Sequence, residues 1–166
     1  MKNKLMALAI IGICIAVGMT SLLADAKPGN GKGPTEKATG HIEFTRDDGK
    51  YIIAEFNAHE AIGDRPAKGC YMWWNYNPDG TLYRNITVEI LPTKVIIDGN
   101  TAWFAGECTY DSWHSIEGNL LYVYVEDNTT PGATGDIIAW KWGNPPDPID
   151  DSRPIEEGNI VVHTYS

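Results

Sequence analysis

The sequence predicts an all-β chain: a single-domain antiparallel β-sandwich of about nine strands. Three observations lead there. From His41 onward, short runs rich in Val, Ile, Thr, Tyr and Trp are separated by turn residues. Inside those runs apolar and polar side chains alternate with a period of two. Beyond residue 26, no stretch sustains the 3.6-residue apolar period of a helix. Half-apolar strands bury their oily face between two packed sheets or inside a closed β-barrel, so the barrel is the alternative.

The strands follow in order. His41 to Thr45 is the first, turned by Asp47-Asp48-Gly49. In Tyr51 to His59, Ile52, Ala54, Phe56 and Ala58 share one face, opposite Glu55, Asn57 and His59. A polar loop from Glu60 to Gly69 leads to Cys70–Tyr76, which carries aromatics on both faces. Tyr71 and Trp73 share one side, Met72 and Trp74 the other, so one set must lie outside the core. Asn77-Pro78-Asp79-Gly80 is a tight-turn signal. Leu82 to Ile90 then alternates cleanly, its apolar face (Leu82, Ile86, Val88, Ile90) interrupted only by Arg84. Pro92 ends pairing there or marks an edge. Lys94–Ile97, the turn Asp98-Gly99-Asn100 and Thr101–Thr109 form a hairpin. Leu120–Glu126 and Asp136–Trp142 follow, then a proline-rich acidic loop from Asn144 to Glu157, then Asn159–Tyr165.

Residues 1–26 read as a secretory signal peptide. Lys2 and Lys4 precede an uncharged run from Leu5 to Leu23, and Ala24-Asp25-Ala26 offers a cleavage site. The run is long enough to span a bilayer, so an uncleaved N-terminal anchor is the alternative. Residues 27–38 read as a flexible Gly/Pro/Lys linker and 39–166 as the β-domain. The expected location is secreted or at the cell surface. Removing 26 of 166 residues leaves 140, with 11 basic and 21 acidic side chains. That acidic balance disfavours nucleic acid and anionic membrane surfaces as partners. It favours solubility or cation binding. Cys70 and Cys108 remain after cleavage, and outside the cytoplasm a lone pair is expected as a disulfide. In the chain-entropy picture its loop closure contributes roughly 4 kcal/mol.

Val125-Glu126-Asp127-Asn128, Pro131-Gly132 and Asp136, followed by Gly158-Asn159-Ile160-Val161-Val162-His163, carry a resemblance. With the Gly99–Gly106 hairpin, they resemble a family of uncharacterised secreted prokaryotic β-rich proteins that pair a V-x-D-N-G-x-P-G-x-x-D loop with a terminal G-N-I-x-V-H strand. Here Thr129 stands where the pattern has glycine, and Pro131 to Asp136 is one residue longer. The resemblance spans roughly residues 70 to 163 and implies export and a β-rich fold, with no activity attached.

Four candidate features remain. Glu126, Asp127, Asn128 and Asp136 bracket a turn and offer the hard oxygens that calcium takes. Their spacing is not that of an EF-hand, and Asp and Asn are also ordinary turn formers. Asp147, Asp150 and Asp151 are nearby acidic residues of the later loop. Trp113, Trp140 and Trp142 are the candidate ligand platform, since exposed indoles stack on sugar rings, though Trp equally fills cores. Asn85 and Asn128 head N-glycosylation sequons. His41, His59, His114 and His163 lack paired metal-ligand spacing. Neither a nucleophile elbow, a His-Glu-x-x-His helix nor a phosphate loop occurs. The expectation is therefore an exported non-catalytic binding or structural module with a glycan or cell-surface component as partner. A carbohydrate-binding module using surface Trp and a small secreted hydrolase are the alternatives.

Overall fold

The computed structural model describes residues 36–128, 135–147 and 152–164. The segment read as a leader, the linker up to residue 35, Pro131-Gly132, Asp150 and Asp151 lie outside them. The described chain belongs to one unit, Pro34–Ser166. Nine strands form it: β1 (Lys37–Thr45), β2 (Tyr51–His59), β3 (Lys68–Tyr76), β4 (Leu82–Asp98), β5 (Thr101–Asp111), β6 (Leu120–Glu126), β7 (Ile137–Trp142), β8 (Arg153–Pro154) and β9 (Glu157–His163).

All nine join one antiparallel sheet in the order β8-β7-β6-β5-β4-β3-β2-β1-β9. Elementary distances require this sheet to curl. Eight strand spacings would set the edges of a flat sheet roughly 38 Å apart. Yet β8 and β9, at opposite edges, are joined only by Ile155 and Glu156, a reach of about 11 Å at most. The sheet therefore bends into a half-barrel, and its two halves face one another as the layers of a sandwich do. Phe56 of β2 lies 5.3 Å from Phe104 of β5, and Phe44 of β1 lies 5.4 Å from Trp140 of β7.

The period-two pattern decides which face fills the interior. Ile42, Ile52, Ala54, Tyr71, Val88, Leu121, Val123, Val125, Ile138 and Ile160 all point inward and are buried. On β3, Tyr71 and Asn75 are the buried side chains, while Met72 and Trp74 stay half-buried on the outer side. Pro92 does not end its strand. β4 runs through it, and the register with β5 breaks between Ile90 and Val95, so the strand turns a corner there. Two segments expected as separate strands are thus one, and β8 emerges from the proline-rich loop.

β9 is held on one side by seven residue pairs with β1. Its other side is capped by carboxylates. Asp136, fully buried, accepts from Ile160 N–H at 2.9 Å and from Asn128 N–H at 3.0 Å. Asp127 accepts from Val162 N–H at 3.0 Å. These two side chains complete the wall where strand pairing stops, because an unpaired buried N–H is costly. Gly158 opens β9 with φ +106°, and any side chain there would strike the His41 carbonyl.

Outside the wall, His41 faces Glu55 across the β1–β2 ladder. Its Nδ1 lies 2.9 Å from Glu55 and its Nε2 3.1 Å from Glu43. Hydrogen bonding to Glu55 holds the imidazole pKa above its ordinary 6.5, against the opposing effect of burial. A raised pKa adds stability that is complete below 6.5 and fades as pH rises through the folded value. Moving from about pH 6 to about pH 8.5 is therefore expected to lower the melting temperature slightly, and His41→Gln to flatten that slope. Thermal melts of both chains across this window check it.

Candidate functional site

The ends of β1, β3, β5 and β7 and the starts of β2, β4 and β6 gather at one rim of the half-barrel. A cavity of about 250 Å³ opens there. Its wall includes Trp73 and Asn75 from β3, Arg84 and Ile86 from β4, and Trp142 from the end of β7. Trp113 and Ile116 enter from the loop between β5 and β6, and Arg46, Asp48 and Lys50 from the turn between β1 and β2.

The loop bearing Trp113 is built on Asp111. This carboxylate is fully buried. Arg84 grips it through two bonds, Nε to Oδ1 at 2.8 Å and Nη2 to Oδ2 at 2.7 Å. It also accepts from the backbone N–H groups of Trp113 (3.1 Å), Ser115 (2.8 Å) and Ile116 (3.2 Å). One side chain thus ties the next five residues into a fixed turn. His114, inside that turn, adopts φ +53°, an uncommon backbone state for a residue with a side chain. The Arg84 bonds, reinforced by the backbone donors, hold the Asp111 carboxyl far below the usual range despite its burial.

Arg84 also stacks on the cavity's aromatic wall. Its guanidinium carbon lies 4.8 Å from the Trp113 ring centre. Tyr83 meets Trp113 edge-on at 4.6 Å, and Lys50 sits 4.7 Å over Tyr83. Asp48 pairs with Lys50 at 2.8 Å and with Arg46 at 3.5 Å. Its pKa is lowered chiefly by the Lys50 hydrogen bond. Trp113 remains 47% exposed, which leaves ring surface open at the mouth.

Two polar atoms of this wall have no hydrogen-bond partner among the described residues: Asn75 Oδ1 and Trp73 Nε1. Asn75 is only 4% exposed. Buried polar groups are nearly always paired, so two orphans on adjacent inward positions of one strand are exceptional.

The sequence-derived candidates separate clearly. Trp113 and Trp142 meet at the cavity. Trp140 does not reach it. It is packed against the core, edge-on to Trp73 at 5.7 Å, beside Phe44, with Arg153 5.9 Å over its ring. The expected face shared by Trp140 and Trp142 is the inner one, and only its last residue opens to the mouth. The proposed metal ligands are corrected: among the described residues no three His, Cys, Asp or Glu side chains gather to hold an ion. Asp127 and Asp136 point at the N–H groups of β9, as above. Glu126 takes Tyr124 OH and the Asn128 amide.

The disulfide is also corrected. Cys70 and Cys108 are thiols on strands separated by β4, too far apart to bond across the sheet. Cys108 points into the core beside its neighbours, whereas Cys70 lies on the outer side next to Asn57. Denatured, non-reduced full-length chain is expected to titrate for three thiols, Cys14 included. Of the sequons, Asn85 sits on the cavity wall, and Asn128 uses its amide nitrogen on Glu126 (2.9 Å) and Gly135 O (3.0 Å). A glycan at Asn128 would take one of the two amide hydrogens and so remove at least one of these bonds.

Asn75, Arg84 and Asp111 were not foreseen as site residues. Arg84 did leave a signal, as the one charge on an apolar strand face. Compared with known proteins, the chain matches no family model, no curated protein and no solved structure.

Proposed function

We propose that the chain is an exported, non-catalytic binding module whose half-barrel rim takes one saccharide ring. The observation that carries this is the pair of unpartnered polar atoms, Asn75 Oδ1 and Trp73 Nε1, beside the indoles of Trp113 and Trp142. A sugar hydroxyl both donates and accepts, so it suits an acceptor and a donor on successive inward positions, each closed to solvent until its side chain turns toward the cavity. The indole faces suit the apolar face of a pyranose. The volume, about 250 Å³, falls below the roughly 300–1,000 Å³ of drug-sized ligands and fits a single ring.

Binding is favoured over hydrolysis by the state of the rim carboxylates. Asp48 and Asp111 both have lowered pKa values. A glycosidase needs one carboxyl raised to act as a general acid. The leader-like N-terminus and the family resemblance support export.

Tryptophan fluorescence during titration with hexoses tests this reading. Saturable change is expected, and Trp113→Ala should weaken binding about tenfold, in line with the loss of one aromatic stacking contact. Unchanged affinity in that variant would refute the site.

A further inference from the structure

The cavity wall departs from the rest of the molecule in charge; Asp47, in the same turn as Arg46 and Lys50, does not line it. The whole chain carries a formal charge of −9. The cavity wall instead carries Arg46, Lys50 and Arg84 against Asp48 alone. Arg84 is neutralised from behind by Asp111. Glu117 and His114 stand behind Asp111, bonded to each other at 2.9 Å, and neither lines the cavity. Arg46 and Lys50 are left sharing the single carboxylate of Asp48, at 3.5 Å and 2.8 Å. One positive charge at the mouth therefore has no counter-charge lining the cavity. Arg84 spends Nε and Nη2 on Asp111 and Ser115, and its Nη1 makes no hydrogen bond among the described residues. A cavity wall with surplus positive charge favours an anion locally, against the repulsion of the acidic molecule as a whole.

We propose that the ring held at this rim is acidic: a hexose unit bearing a carboxylate or a sulfate, with the anion facing the open Nη1 of Arg84 and the sides of Arg46 and Lys50 turned away from Asp48. This rests on the saccharide reading above and narrows it. The ring lies against Trp113 and Trp142, its hydroxyls reach Asn75 and Trp73, and its anionic group meets the β1–β2 turn. Charge-assisted bonds from Arg and Lys are the stronger class and give the preference over neutral sugars.

Matched ligands test it. Glucose, galactose and mannose are titrated into the full chain by calorimetry beside their uronic acids and 6-sulfates. The anionic member of at least one set is expected to bind about tenfold more tightly than its neutral partner at low salt, the gap narrowing as salt rises. The double variant Arg46→Gln, Lys50→Gln, checked for folding by circular dichroism, should bring that ratio close to one. Uronic acid against sulfate then tells which anion is preferred. Equal binding of neutral and anionic partners would overturn the acidic specificity and leave the saccharide site standing. Binding of no sugar in any set would overturn both.

Discussion

Asp111→Ala is expected to be the most damaging single change at the rim, lowering stability by about 4 kcal/mol and the melting temperature by roughly 15 °C. The cost has two parts. Arg84 would lose the partner of its two-pronged bond in a half-buried place. The N–H groups of Trp113, Ser115 and Ile116 would lose their common acceptor. Asp111→Asn keeps the shape but neutralises the partner of Arg84, and should fall between alanine and the parent. The pH dependence has a definite sign. A lowered pKa adds stability that is complete above the ordinary 3.8 and lost as pH falls below it. Acid unfolding of the parent should therefore be steeper below about pH 4 than that of Asp111→Ala, as thermal melts across that range would record. A drop under one degree at neutral pH would show that the loop stands without its carboxylate.

Asp136→Ala is the second large effect, at about 3 kcal/mol and roughly 10 °C. The change strips acceptors from Ile160 N–H and Asn128 N–H, and Ile160 is itself fully buried. The barrel wall would open along β9, so amide exchange at Ile160 and Val162 should accelerate before that of Val123 in the sheet centre. Added millimolar calcium should leave both parent and variant melts unmoved, because these oxygens face backbone donors. A calcium-dependent rise in the parent would reverse that assignment.

The strands were legible because each one alternates. Ile52, Ala54, Phe56 and Ala58 announce a buried face two residues at a time, and all four are buried. The rim was less legible, for reasons of register. On β5 the inward residues run Ala102, Phe104, Gly106 and Cys108, which would send Asp111 outward. The register slips between Thr87 and Val88, Thr109 is skipped, and Asp111 turns in. The extra residue of a bulge leaves no mark in a period-two pattern. Pro92 misled in the opposite direction, since a bulge tolerates a proline that a regular ladder would not.

Closure was hidden for another reason. Asp127 and Asp136 have the composition of a cation loop, and only the path of β9 beside them shows that their oxygens serve N–H groups. The disulfide expectation came from compartment, which says that thiols oxidise and nothing about where they lie. One intervening strand was enough to exclude it.

The indole N–H resonances report most directly on whether the rim is a binding site. Six tryptophans give six such signals, assignable by single Trp→Phe changes. On titration with the hexoses and their acidic partners, the Trp73 signal is predicted to shift together with those of Trp113 and Trp142. Trp103, packed on Tyr124 at 4.6 Å and absent from the cavity wall, should stay in place. A Trp73 signal that never moves, with ligand in excess, would contradict the assignment of its unpartnered nitrogen to a ligand.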